Sequence, residues 1–80
     1  MAKKKVVKVL QYTAVFEPEK EGGYSVTIPA LAGCISQGET FEEALANIKE
    51  AAELYVEDLN DSEIPKETRP IVVSPIAIRL

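Results

Sequence analysis

Histidine and tryptophan are absent from this 80-residue chain, and cysteine occurs once. Without histidine, the Ser-His and Cys-His pairs of common nucleophilic enzymes are excluded, and so is the commonest metal-binding side chain. A single cysteine allows no disulfide within the chain, which is typical of a protein from a reducing cytoplasm. We therefore expect a cytoplasmic protein in which Cys34 is a buried and unreactive thiol.

Long apolar runs are also missing. No stretch approaches the roughly 18 apolar residues that a membrane-spanning helix requires, and the lysine-rich start is not followed by the apolar core of a signal peptide. The length suits one domain, so residues 1–80 are predicted to form a single domain without membrane contact. A core of this size is small, and association with a partner or a second copy would stabilise it.

Short apolar segments separated by turn residues predict strands at both ends of the chain. Three strands are predicted in the first half: residues 4–16 with a core at Leu10–Phe16, then Tyr24–Ile28 and Cys34–Gln37. The valine- and isoleucine-rich residues 71–80 predict a final strand, and Pro75 within it favours an edge position or a bulge. Such an edge could pair with a second copy, so we expect a homodimer or a higher homo-oligomer.

Residues 38–59 between these strands predict one long amphipathic helix. Thr40 followed by Glu43 is a capping box, in which each side chain satisfies a free backbone N–H group of the first turn. Apolar side chains then recur on one side of the helix, within about 140° of arc. The order β-β-β-α-β predicts an α+β fold, with one helix packed on a small mixed sheet.

Charge is distributed unevenly along the chain. Residues 39–63 contain nine acidic residues and one lysine, whereas residues 1–8 contain four lysines and no acid. The three predicted strands of the first half contain no acid, so they lack the converging carboxylates of a metal-dependent nuclease. We therefore predict no enzymatic activity, no cofactor and no metal site.

The acidic side of the helix has two interpretations. Glu43, Glu50 and Glu57 recur every seven residues and align within about 40°, with Leu54 beside them. They could form a docking surface for a basic protein, because charge accelerates association and an apolar contact adds affinity. Alternatively, this is a solvated face on which another segment of the fold covers Leu54. Composition alone favours the solvated face.

The basic start of the chain also has two interpretations. Lys3, Lys4, Lys5 and Lys8 could bind RNA or DNA, which is the alternative function that we consider. A short basic start more often serves as a solubilising chain end that discourages aggregation. The acidic helix argues against nucleic-acid binding, because phosphate contacts require cationic side chains.

Residues 24–59 carry a dense motif with fixed spacing: Tyr-x-Val-x-x-Pro-x-Leu-x-Gly-Cys, then Gly-x-Thr, then Glu-Ala-x-x-Asn-x-x-Glu-Ala. In this chain the motif positions are Tyr24, Val26, Pro29, Leu31, Gly33, Cys34, Gly38, Thr40, Glu43, Ala44, Asn47, Glu50 and Ala51. This segment closely resembles the HicB-like antitoxin family. So many fixed offsets make chance agreement improbable.

The resemblance implies a partial ribonuclease-H-like fold and a role as an antitoxin. Such proteins bind HicA, a small basic ribonuclease that cleaves messenger RNA, and cover its active site. Many family members carry a further C-terminal DNA-binding domain, for which a chain ending at Leu80 leaves no room, so we expect no direct DNA binding. The motif does not mark toxin contacts, and Glu43, Glu50, Leu54 and Glu57 are predicted from the helix alone.

Overall fold

Three strands and one α-helix are present in the part of the chain that the structure describes. A computed structural model describes residues 9–67 and 71–80. In chain order, the elements are β1 (Val15–Pro18), β2 (Tyr24–Thr27), β3 (Ile35–Gly38) and α1 (Phe41–Glu57), followed by a short 3-10 helix (Asp61–Glu63). The strands form one antiparallel sheet in the order β1-β2-β3. The predicted α+β class, with three strands before one helix, is confirmed.

β1 begins later than the predicted strand Leu10–Phe16, and the register of the sheet explains why. Val15 is the first residue of β1 to pair with β2, opposite Thr27. Continuing this register would bring Thr13 opposite Pro29, which has no N–H group to donate to a ladder. The Thr13 N–H group instead donates to Glu67 Oε1 at 2.7 Å, and the Thr13 hydroxyl donates to Glu67 Oε2 at 2.7 Å.

The core lies between the sheet and α1. Its fully buried members come from β2, from the loop between β2 and β3, and from the helix: Val26, Ile28, Leu31, Cys34, Ala44 and Ile48. Aromatic rings close one end, since Phe41 lies 4.6 Å from Phe16 and 6.2 Å from Tyr24 between ring centroids. The prediction that Cys34 is buried and free is confirmed, and burial raises the pKa of its thiol.

Gly38 allows the helix to start close against the sheet. An added Cβ atom at Gly38 would lie 2.8 Å from Ala44 Cα and 2.8 Å from the Glu43 carbonyl carbon. On the neighbouring strand, a Cβ atom at Gly23 would lie 2.7 Å from the Gly38 carbonyl oxygen, and the backbone of Gly23 has a φ of 79°. Both glycines are therefore required where β2, β3 and α1 meet.

The predicted capping residue begins the helix. Thr40 has an extended backbone, and its Oγ1 accepts a hydrogen bond from the Glu43 N–H group at 3.1 Å. Glu43 Oε1 accepts from the Glu39 N–H group at 3.3 Å, so the returning bond reaches one residue before the cap. The helix ends at Glu57 with Asp58 as C-cap. Asn60 is the N-cap of the 3-10 helix that follows.

The final strand predicted at residues 71–80 does not form. These residues carry no strand structure and all of them are exposed. Within the described residues, β1 and β3 pair only with β2, so neither outer strand of the sheet pairs with this segment. Within the described residues the sheet is therefore antiparallel rather than mixed, and the apolar side chains of residues 71–80 have no cover.

Candidate docking surface on the helix

The solvent-facing side of α1 presents the predicted site residues together. We call Glu43, Glu50, Leu54 and Glu57 the acidic stripe; all four are exposed. At 1.5 Å rise per residue, the stripe extends over about 21 Å of the helix. Leu54 is 60% exposed. No described segment of the fold covers it, so that part of the solvated-face interpretation is not supported.

The rotation of α1 against the sheet determines which side faces solvent. Ala44 and Ile48 are buried against the sheet. The side-chain amide of Asn47, which lies between the buried side and the acidic stripe on the helical wheel, donates to the Gln37 carbonyl oxygen at 2.7 Å. This hydrogen bond joins α1 to β3, and with Ala44 and Ile48 turned toward the sheet the acidic stripe faces solvent.

The acidic stripe carries negative charge that the fold does not neutralise. In the described part of the chain, no lysine or arginine forms an ion pair with Glu50 or Glu57, and Lys49 lies on the other flank of α1. Glu43 differs from them, because its carboxylate accepts from the Glu39 N–H group and so also supports the helix start. Within the acidic stripe, Glu50 and Glu57 are therefore the acids that no described residue engages.

The described residues contain no arrangement suited to metal chemistry. Glu17 lies in β1, which corrects the expectation that the strands carry no acid, but its side chain is exposed. Across residues 9–67 and 71–80, no group of three or more acidic or cysteine side chains is placed to hold a metal ion. Over the same residues, no helix is long and apolar enough to cross a membrane.

The alternative nucleic-acid site falls outside the described residues, since Lys3, Lys4, Lys5 and Lys8 all precede residue 9. It therefore stays a prediction. The acidic stripe is the candidate site for which the structure provides a geometry.

Sequence reasoning missed a second surface, on the flank of α1 opposite the acidic stripe. We call it the apolar groove; it has a volume of about 660 Å³ and is lined mainly by Leu10, Tyr12, Ala14, Ile28, Leu45 and Val56. It exists because residues 9–14 run beside α1 without joining the sheet. The predicted strand at Leu10–Phe16 concealed this groove, since a paired strand would have placed those side chains in the core.

The motif of residues 24–59 belongs to a defined protein family. Residues 12–76 match the family model of the HicB-like antitoxin of the bacterial toxin-antitoxin system. The chain belongs to the HicB-like antitoxin family. Membership confirms the resemblance and implies a role in a toxin–antitoxin system, with a toxin as the partner. The matched region includes all three strands and the whole of α1.

Individual relatives fall into two groups by length. The chain is 46% identical over 70 residues to UPF0150 protein ssr1765 of Synechocystis sp., covering 88% of this chain and 89% of that protein. It is 48% identical over 66 residues to a UPF0150 protein of Helicobacter pylori, covering 81% and 90%. Antitoxin HicB 1 of Photorhabdus laumondii is 36% identical over 64 residues, which cover 75% of this chain but 41% of that longer antitoxin.

Proposed function

We propose that this HicB-like protein neutralises a small, basic HicA-like ribonuclease in the cytoplasm by binding it and covering its active site, without catalysing a reaction itself. The observation that carries the proposal is the acidic stripe, in which Glu50 and Glu57, which form no ion pair within the described residues, lie beside the exposed Leu54. Family membership supports a toxin as the partner, and the charge of the stripe fits a toxin that is basic.

The two kinds of side chain in the stripe would contribute differently to binding. Glu50 and Glu57 would attract a cationic partner over distances of about a Debye length, roughly 8–10 Å in physiological salt, and so accelerate association. Leu54 projects between them and is 60% exposed. Its burial against the toxin would contribute affinity that salt does not screen, since the hydrophobic effect does not depend on charge.

Occlusion requires no chemistry from the antitoxin. An RNA-cleaving site binds a polyanion, so cationic side chains are expected to surround it. A row of carboxylates spread over about 21 Å of helix presents negative charge to the same cations. In this proposal, the acidic stripe competes with the RNA backbone for the basic surface of the ribonuclease.

Reversing the charge of the stripe tests the proposal. We expect the double substitution Glu50→Lys and Glu57→Lys to weaken toxin binding by about 10- to 100-fold, because two attractive charges become repulsive. Binding to the product of the small open reading frame adjacent to the gene would be measured by titration calorimetry at two salt concentrations. Glu43 is left unchanged in this variant, since its carboxylate supports the start of α1.

A matched control reverses two acids elsewhere. Glu19 and Glu21, in the turn between β1 and β2, are exposed, so Glu19→Lys with Glu21→Lys changes the net charge by the same amount. We expect this control to bind with nearly normal affinity. Equal weakening in both variants would mean that only net charge matters, and unchanged affinity of the folded Glu50/Glu57 variant would place the interface elsewhere.

A further inference from the structure

The C-terminal segment, residues 71–80, is apolar and is not covered by any other described residue of the chain. Val72 and Ile76 are 85% and 84% exposed, and Val73, Ile78 and Leu80 are comparably open. In an extended segment, Val72, Ile76 and Ile78 lie on the same side because side chains alternate. A row of large apolar side chains in water marks a contact surface, since soluble proteins rarely leave such patches uncovered.

The apolar groove offers a surface of matching chemistry on the same molecule. Its walls are the side chains of residues 9–14 on one side and of α1 on the other, with Ile28 at its base. Ten extended residues span about 33 Å, and the 17 residues of α1 span about 26 Å. The helix wall of the groove runs from Leu45 to Val56, about 17 Å, so the segment is long enough to follow it.

Charge at the rim agrees with this pairing. Lys49 and Glu53 are the charged residues that line the groove. Arg79 is the only charged side chain of the C-terminal segment. Its guanidinium could form an ion pair with the Glu53 carboxylate. A basic toxin would find one acid and one lysine here, so it fits the acidic stripe better than it fits the groove.

Pro65 and Glu67, which precede the segment, are held at the flank of α1 that carries the groove. The Tyr12 hydroxyl donates to the Pro65 carbonyl oxygen, and Glu67 binds Thr13 through both carboxylate oxygens. Tyr12 is itself a groove residue. The apolar segment thus follows shortly after residues that are fixed beside the groove, yet its own side chains remain in solvent.

We propose that two copies of this chain exchange their C-terminal segments, so that residues 71–80 of each copy bind in the apolar groove of the other. The exchange is reciprocal, because each copy contributes one segment and one groove, as a two-fold symmetric dimer requires. It covers both apolar surfaces at once and enlarges the small core of a single chain. This inference concerns self-association and does not depend on the identity of the toxin.

The dimer is tested by disrupting the segment. We expect the full chain to sediment and scatter light with twice its 8.8 kDa mass. The variant Ile76→Asp with Ile78→Asp should dimerise at least about 100-fold more weakly, because two apolar contacts are replaced by charges. Its circular dichroism should be unchanged, since neither side chain contacts the core. The control Ile76→Val with Ile78→Val keeps the segment apolar and should remain dimeric.

A mixing experiment distinguishes exchange from a segment that folds into its own groove. Leu45→Asp places a charge in the groove but leaves the segment intact, whereas the Ile76/Ile78 aspartate variant has the reverse defect. Each folded variant alone should be monomeric, and an equimolar mixture should form a heterodimer through one intact segment and one intact groove. A monomeric full chain, a dimeric Ile76/Ile78 aspartate variant, or a mixture that stays monomeric would overturn the proposal.

Discussion

Replacing Gly38 with alanine is expected to destabilise the fold by about 1–3 kcal/mol or more, which is the usual cost of overpacking a close contact. The new Cβ atom would lie 2.8 Å from Ala44 Cα, a main-chain atom that cannot move aside as a flexible side chain does. The start of α1 would have to shift away from β3, and with it the buried Ala44 and the Thr40 cap. Urea denaturation followed by circular dichroism measures the loss.

Gly33→Ala is the control that separates the stability cost of a steric clash from the cost of an unfavourable backbone conformation. Gly33 has a φ of 83°, so alanine is strained there, but an added Cβ atom would meet nothing within 4 Å. We expect Gly33→Ala to cost about 1 kcal/mol, which is the typical penalty for a side chain in the left-handed region. If Gly38→Ala were no more destabilising than Gly33→Ala, the close approach of helix and sheet would be contradicted.

Leu31→Ala should have the largest effect on stability, a loss of about 2–5 kcal/mol. Leu31 is 0% exposed, and the loop from Ile28 to Cys34 folds around it. Its N–H group donates to the Ile28 carbonyl oxygen, and its own carbonyl oxygen accepts from the Cys34 N–H group, both at 2.9 Å. Alanine would leave a cavity. The loop could not collapse to fill it, because these backbone hydrogen bonds hold the loop in place.

The expected loss is large relative to the whole stability of the domain. For 80 residues, typical stabilities per residue correspond to roughly 4–12 kcal/mol. We therefore expect Leu31→Ala to lower the thermal midpoint by more than 10 °C, measured by calorimetry. Leu54→Ala is the matched control, since the same truncation at a 60% exposed site should change stability by about 0.5 kcal/mol or less. Similar losses at both positions would contradict the assigned core.

Local signals were sufficient to predict the helix and the class of the fold. The Thr40 cap and the helical spacing of apolar residues both depend on interactions within a few residues, and the structure retains them. The glycine pair at residues 22–23 is a similar local signal, since it lies in the turn between β1 and β2 and both glycines have positive φ. These features depend on residues close together in the sequence, so they can be predicted from it.

Strands at the margins of the sheet were harder to predict, because a strand depends on its neighbour. Residues 10–14 and 71–80 have the apolar composition of strands, yet Pro29 removes the pairing partner of the first segment. The Thr13 N–H group donates instead to the carboxylate of Glu67, and a contact between residues so far apart in sequence cannot be predicted from a local pattern. The acidic stripe could be predicted from helical spacing, whereas the apolar groove depends on where these unpaired residues lie.

The measurement that tests the antitoxin account most directly is inhibition of RNA cleavage. The product of the adjacent small open reading frame would be incubated with messenger RNA and increasing amounts of this chain, and the remaining intact RNA measured. The account predicts that cleavage stops when the chain reaches about one equivalent per toxin-binding site, and that the Glu50→Lys, Glu57→Lys variant requires a clear excess. Undiminished cleavage by an active ribonuclease at high excess of the folded chain would contradict it.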